Sequence, residues 1–164
     1  MSDPCGNVGG VKGYIYKKIG PWVYGQEPSL DPKYIAGQLG DKKVKENLDK
    51  RGGNIKFSQN YYSKEDKETV KMVQSAMVYL GVLKADKCEP RWWAGVIDGG
   101  YGNETREALQ DFQIKAGIRY KRADGSGEIP NGNRINSRTV DALVMAVQAK
   151  SQGKNWKAEI KPKE

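Results

Sequence analysis

The stretch Asp98-Gly-Gly-Tyr-Gly-Asn-Glu-Thr105, followed by Ala108-Leu-Gln-Asp-Phe-Gln113, decides the fold. Asp98-Gly99 suits a tight turn, because an aspartate bonds its own backbone and a glycine tolerates positive φ. Gly102 supplies a second bend. Asn103 or Glu104 is placed to cap a following helix, and Glu104, Glu107 and Asp111 suit its positive N-terminal end. Leu109, Phe112 and Ala116, with Ala108 beside them, line one helical face. Gly117 is placed to stop it. The order is therefore turn, helix start, apolar helix face, stop.

The surrounding chain repeats this grammar. Upstream, Val70, Val73, Met77 and Leu80 form a helical stripe that ends at Gly81. Downstream, Ala123-Asp-Gly125 opens a second, looser turn that leads to Asn136-Ser-Arg-Thr139 and a helix carrying Val140, Leu143, Val144 and Val147. The Asp-to-Thr step runs from 98 to 105 in the first copy and from 124 to 139 in the second, so the second copy is longer by eight residues. Asn136 stands where the first copy has Gly102. Asparagine is the usual substitute for glycine in left-handed backbone, and the exchange predicts that conformation at both positions.

Over residues 64–150 this pattern resembles the peptidoglycan-binding-like module, a small three-helix domain that holds bacterial cell wall without cutting it. Thr69-Val-Lys-Met-Val-Gln74 and Tyr79-Leu-Gly-Val82 look like its first helix and exit, and the 98–113 stretch looks like its second half. The resemblance implies a mainly α fold and a wall-binding, non-catalytic role. The family's binding groove varies, so the contact residues are read from residue type. Sugar faces stack on aromatic rings, and carboxylates and amides bond their hydroxyls. Arg91, Trp92 and Trp93 lie in the long loop before the turn, close in sequence to Asp98 and Tyr101. Tyr120 and Arg122 follow the second helix, and Arg122 suits a stem-peptide carboxylate. These seven are the candidate ligand-binding residues.

Residues 1–63 do not resemble the module and are read as an extended, partly β arm that packs on the module or on a partner. Tyr14 and Tyr16 share one face of a strand, and Trp22 and Tyr24 add the aromatic content of an interface. Asp31-Pro32 predicts a short helix through Tyr34, Ile35 and Leu39, stopped by Gly40. Asp41 predicts a second helix running to Leu48, and Ile55 to Tyr62 reads as a short strand. Residues 151–164 read as a basic tail.

Composition sets the outer limits. The 164 residues are 37% hydrophobic and 29% charged, with a net charge of +8. Mean hydropathy is −0.77, so much of the chain must lie at surfaces. No apolar run approaches the roughly 20 residues of a membrane span. The basic balance favours polyanions, among them nucleic acid and teichoic acid, but for nucleic acid charge is the only support. The chain has no histidine, which removes the usual zinc amidase sites and any Ser-His or Cys-His nucleophile. Glu89, Asp98, Glu104 and Asp124 show no spacing that marks a glycosidase pair. No metal, no cofactor and no catalytic group is expected. Cys5 and Cys88 read as two separate thiols, with a bridge between arm and loop as the alternative.

The N-terminus lacks a basic start followed by an apolar stretch, so it does not read as a secretory signal. A wall binder without one points to a phage particle or contractile injection machine, with the arm anchoring the protein to other components. The alternatives are a scaffold that keeps the fold without wall binding and a targeting subunit of a lytic enzyme.

Overall fold

A computed structural model describes residues 31–50, 53–56, 63–84, 97, 99–121, 125–129, 132 and 134–161. Cys5, Cys88 and the aromatic residues 14–24 lie outside them. The described residues are mainly helical, in the order α1 (Pro32–Leu39), α2 (Lys42–Lys50), β1 (Asn54–Lys56), α3 (Lys64–Leu80), α4 (Asn103–Ala116), β2 (Tyr120–Lys121), β3 (Glu128–Ile129), β4 (Arg134–Asn136), α5 (Ser137–Ser151) and α6 (Trp156–Ile160).

Helix α3 is the axis of the fold. Ser63 and Asp66 form a capping box: the Asp66 amide donates to Ser63 Oγ at 3.1 Å, and the Ser63 amide donates to Asp66 Oδ2 at 3.3 Å. The helix ends at Gly81, whose φ of 83° is the left-handed stop expected from the sequence. Every residue from Thr69 to Leu80 is buried, polar ones included, because helices cover several sides of α3. Helix α4 ends likewise at Gly117, with φ 67°, and the Ile118 amide reaches back to the Gln113 carbonyl at 2.9 Å.

Residues 31–56 share this core. Pro32 takes the first turn of α1, where its missing amide costs nothing. Ile35, Ala36 and Leu39 are buried, and α1 packs on both α3 and α5. Asp41 Oδ1 accepts from the Lys43 amide at 2.9 Å at the start of α2. Asn47 Nδ2 then donates to Asp66 Oδ1 at 2.7 Å, which ties α2 to the first turn of α3. The short strand β1 pairs antiparallel with β4, and Ile55 sits opposite Ile135, both fully buried. Leu39, Leu48 and Ile55 therefore belong to one hydrophobic cluster with Val73, Leu109 and Val147.

The C-terminal segment also contributes. Asn155 Oδ1 accepts from the Lys157 amide at 3.2 Å and starts α6. Trp156 and Ile160 are buried, and the Trp156 ring stacks on Phe112 at 6.0 Å between centroids. Only the lysines of this segment behave as the basic tail expected from composition. Lys150 is held elsewhere: its ammonium donates to the Tyr79 carbonyl at the end of α3 and lies 4.6 Å from the centre of the Tyr79 ring.

Candidate functional site

The turns quoted from the sequence are held in place by two buried glutamines. Gln74, on α3, is 1% exposed. Its Nε2 donates to the Gly100 carbonyl and to Thr105 Oγ1, both at 3.0 Å, and its Oε1 accepts from the Gly99 amide at 2.9 Å. One side chain thus satisfies three polar groups of the first turn that are remote from any ladder. Gln113, on α4, is fully buried and repeats the pattern on the second turn. Its Nε2 donates to the Arg134 carbonyl at 3.1 Å and to Thr139 Oγ1 at 3.3 Å. In each copy the carbonyl lies five residues before the threonine, and the threonine is the third residue of the next helix.

The paired N-caps confirm the alignment of Gly102 with Asn136 and correct its reason. Gly102 has φ −100° and ψ −171°, and Asn136 has φ −122° and ψ 177°. Both are extended, so left-handed backbone has no part in the exchange. Asn136 acts by capping: its Oδ1 accepts from the Thr139 amide and from Thr139 Oγ1, each at 2.9 Å. Gly102 makes no side-chain cap, and neither Asn103 nor Glu104 replaces it, because both already lie inside α4. The longer second copy contains β3, which pairs with β2 just ahead of it, and leads into β4, which joins the second turn to β1.

Of the seven candidate ligand-binding residues, Arg91, Trp92, Trp93, Asp98 and Arg122 lie outside the described residues. Tyr120 opens β2, its backbone opposite Ile129. Tyr101 is a correction. It is 4% exposed and its hydroxyl donates to the Gly132 carbonyl, so the ring belongs to the core and offers no face to a sugar. The sequence favours a surface position because Tyr101 sits among glycines. In the fold that glycine-rich turn lies flat against α3, close enough that a Cβ on Gly99 would stand 3.2 Å from the Lys67 carbonyl.

No family model, curated protein or solved structure matches the chain.

The described residues also frame a cleft of about 320 Å³ between the α1–α2 junction, α2 and the first half of α3. Asp41, Glu65 and Glu68 bring carboxylates to it, Gln38 and Asn47 bring amides, and Val44 and Met72 add apolar surface. Lys43 is the single basic residue among its lining residues. Such a surface accepts hydrogen bonds from hydroxyl and amino groups. The cleft uses α3 at Glu65, Glu68 and Met72, whereas the clamped turn uses it at Lys67, Lys71 and Gln74. At roughly 100° per residue these are different sides of the helix. Nothing in the sequence pattern marked this cleft, because its residues come from α1, α2 and α3, which only tertiary packing brings together. Among the described residues no group of three or more Asp, Glu, Cys or His side chains is arranged to hold a metal ion. No described helix is long and apolar enough to cross a membrane.

Proposed function

We propose that this protein binds bacterial peptidoglycan without cutting it, as a structural component of a phage particle or contractile injection machine. The observation that carries the reading is the duplicated glutamine clamp. The two turns that produce the resemblance to the peptidoglycan-binding-like module are each held to the preceding helix by a glutamine that bonds a turn carbonyl and a helix threonine, so the internal repeat on which the resemblance rests is one of construction as well as spelling. Rigid turns between packed helices suit a surface that must recognise a repetitive polymer without ordering itself on contact. The carboxylates and amides of the α2–α3 cleft match the hydroxyl and amino groups of glycan and stem peptide. Contact with other proteins of the assembly falls to residues 1–63, of which Ile35, Leu39, Leu48 and Ile55 are taken up by the core.

A second reading, a scaffold that keeps the fold without wall binding, is favoured by one observation. Tyr101, the turn's own aromatic residue, is used internally.

Sedimentation of the full chain with purified sacculi at about 0.15 M salt separates the two, because charge attraction is then screened over roughly 8 Å. Co-sedimentation supports wall binding. A chain that stays in the supernatant, yet is captured by other particle proteins, supports the scaffold.

A further inference from the structure

We propose that α6 and the residues flanking it present a lysine face that binds a linear polyol-phosphate polymer, the anionic companion of peptidoglycan in many walls. This rests on the wall-binding reading and adds a second polymer to it. Residues 152–161 contain Lys154, Lys157 and Lys161 against one acidic residue, Glu159. All three lysines are exposed. Lys154 and Lys161 form no ion pair among the described residues, and Lys157 lies 5.8 Å from the centre of the Trp156 ring. A free tail would let these charges drift apart. Here the buried Trp156 and Ile160 and the Asn155 cap pin the backbone, so like charges are held within about two helical turns. A polyanion relieves that repulsion and gives up its own counterions in doing so.

The same geometry selects among polyanions. Single-stranded nucleic acid is gripped by basic grooves with exposed rings on which bases stack. The aromatic ring of this segment, Trp156, is 7% exposed and turned onto Phe112. Among the described residues of this segment the face offers charge and no stacking platform, which fits a polymer of phosphates and polyols without bases.

The test measures binding of the full chain to soluble poly(glycerol phosphate) at 0.05 and 0.2 M salt. It compares wild type with the K154Q/K157Q/K161Q and K154R/K157R/K161R triple variants. For three phosphate contacts the single-strand relation predicts that wild-type binding weakens roughly 20-fold across this range. The glutamine variant is expected to bind at least 10-fold more weakly at 0.05 M, with a flatter salt response, and the arginine variant to bind like wild type. Circular dichroism should show the same helix content in all three, since the side chains replaced are exposed. A glutamine variant within twofold of wild type, or no wild-type binding at 0.05 M, overturns the proposal. Tighter binding of oligothymidylate than of the polyol phosphate also overturns it, and reassigns the face to nucleic acid. Sacculi stripped of phosphate polymers keep the two readings apart. Equal sedimentation of wild type and glutamine variant supports a polymer-specific face on a wall binder. Selective loss of the glutamine variant there overturns the face as polymer-specific. If neither protein sediments with stripped sacculi while the polymer result stands, the peptidoglycan reading fails and the phosphate-binding face is upheld.

Discussion

At the scale of single residues, the fold turns on polar side chains placed where an apolar one would be expected. Gln74 falls four residues after Val70 and Gln113 four after Leu109, so each sits on its helix's buried side. A buried amide that closes a loop is costly to remove, because its partners are left dry and unpaired. Gln74→Leu should lower stability by about 2–4 kcal/mol in urea titration, since it strands the Gly99 amide, the Gly100 carbonyl and the Thr105 hydroxyl. Thr105→Val should cost about 1 kcal/mol. The double variant should fall short of the sum by at least 0.5 kcal/mol, roughly the threshold for side chains sharing a network. Strict additivity would dismiss the clamp. Gly102 permits a prediction of opposite sign. Its backbone is extended and an added Cβ meets nothing within 4 Å. Gly102→Asn should therefore install the cap that Asn136 provides and raise stability by about 0.5–1 kcal/mol, from the cap and from lost freedom in the unfolded chain. An unchanged or lower melting temperature would show that the two N-caps are not equivalent.

At the scale of elements, the helix boundaries were largely legible. The stop at Gly81, the stop at Gly117, the start of α1 at Pro32 and the division between α1 and α2 at Gly40-Asp41 all follow local rules of capping and backbone freedom. Local rules also contain Ser63-Lys-Glu-Asp66, a capping-box spelling that marks the start of α3. The element least visible in sequence is α6. Five residues carrying a lysine and a glutamate do not announce a packed helix, and α6 holds because Trp156 finds Phe112. Trp156→Ala should cost about 3 kcal/mol, the lower end of the range for buried tryptophan, read as a shift in the denaturation midpoint. A loss below about 0.5 kcal/mol, the usual size of a surface change, would return the segment to the status of a tail.

At the scale of the whole molecule, a boundary at residue 63 runs through one hydrophobic core. Ile35, Leu39, Leu48 and Ile55 are fully buried against α3, α5 and β4. Burying side chains of this size is worth about 1.5–3 kcal/mol each, so the four together rival the 5–15 kcal/mol net stability of a typical domain. A fragment of residues 64–150 also lacks Trp156. It should show no cooperative unfolding transition, whereas residues 31–164 should retain one. A sharp transition in the shorter fragment would establish that the three central helices fold alone. For the same reason, wall-binding measurements belong on the full chain.

Sequence by itself determined what depends on neighbours along the chain. It specified the mainly helical class, the glycine stops, the repeated turn-to-helix grammar and the absence of histidine chemistry, because capping, periodicity and composition act within a few residues. It also placed Gly102 opposite Asn136, though for the wrong conformational reason, since an N-cap and a left-handed position both admit asparagine. Only the tertiary structure decided which surfaces exist. Tyr101 was drawn inward by a carbonyl 31 residues away, Gln74 and Gln113 found partners 21–31 residues distant, and the α2–α3 cleft formed from helices joined by β1. These outcomes rest on which buried polar groups can satisfy one another once the apolar faces have closed, and that pairing is a property of the packed chain.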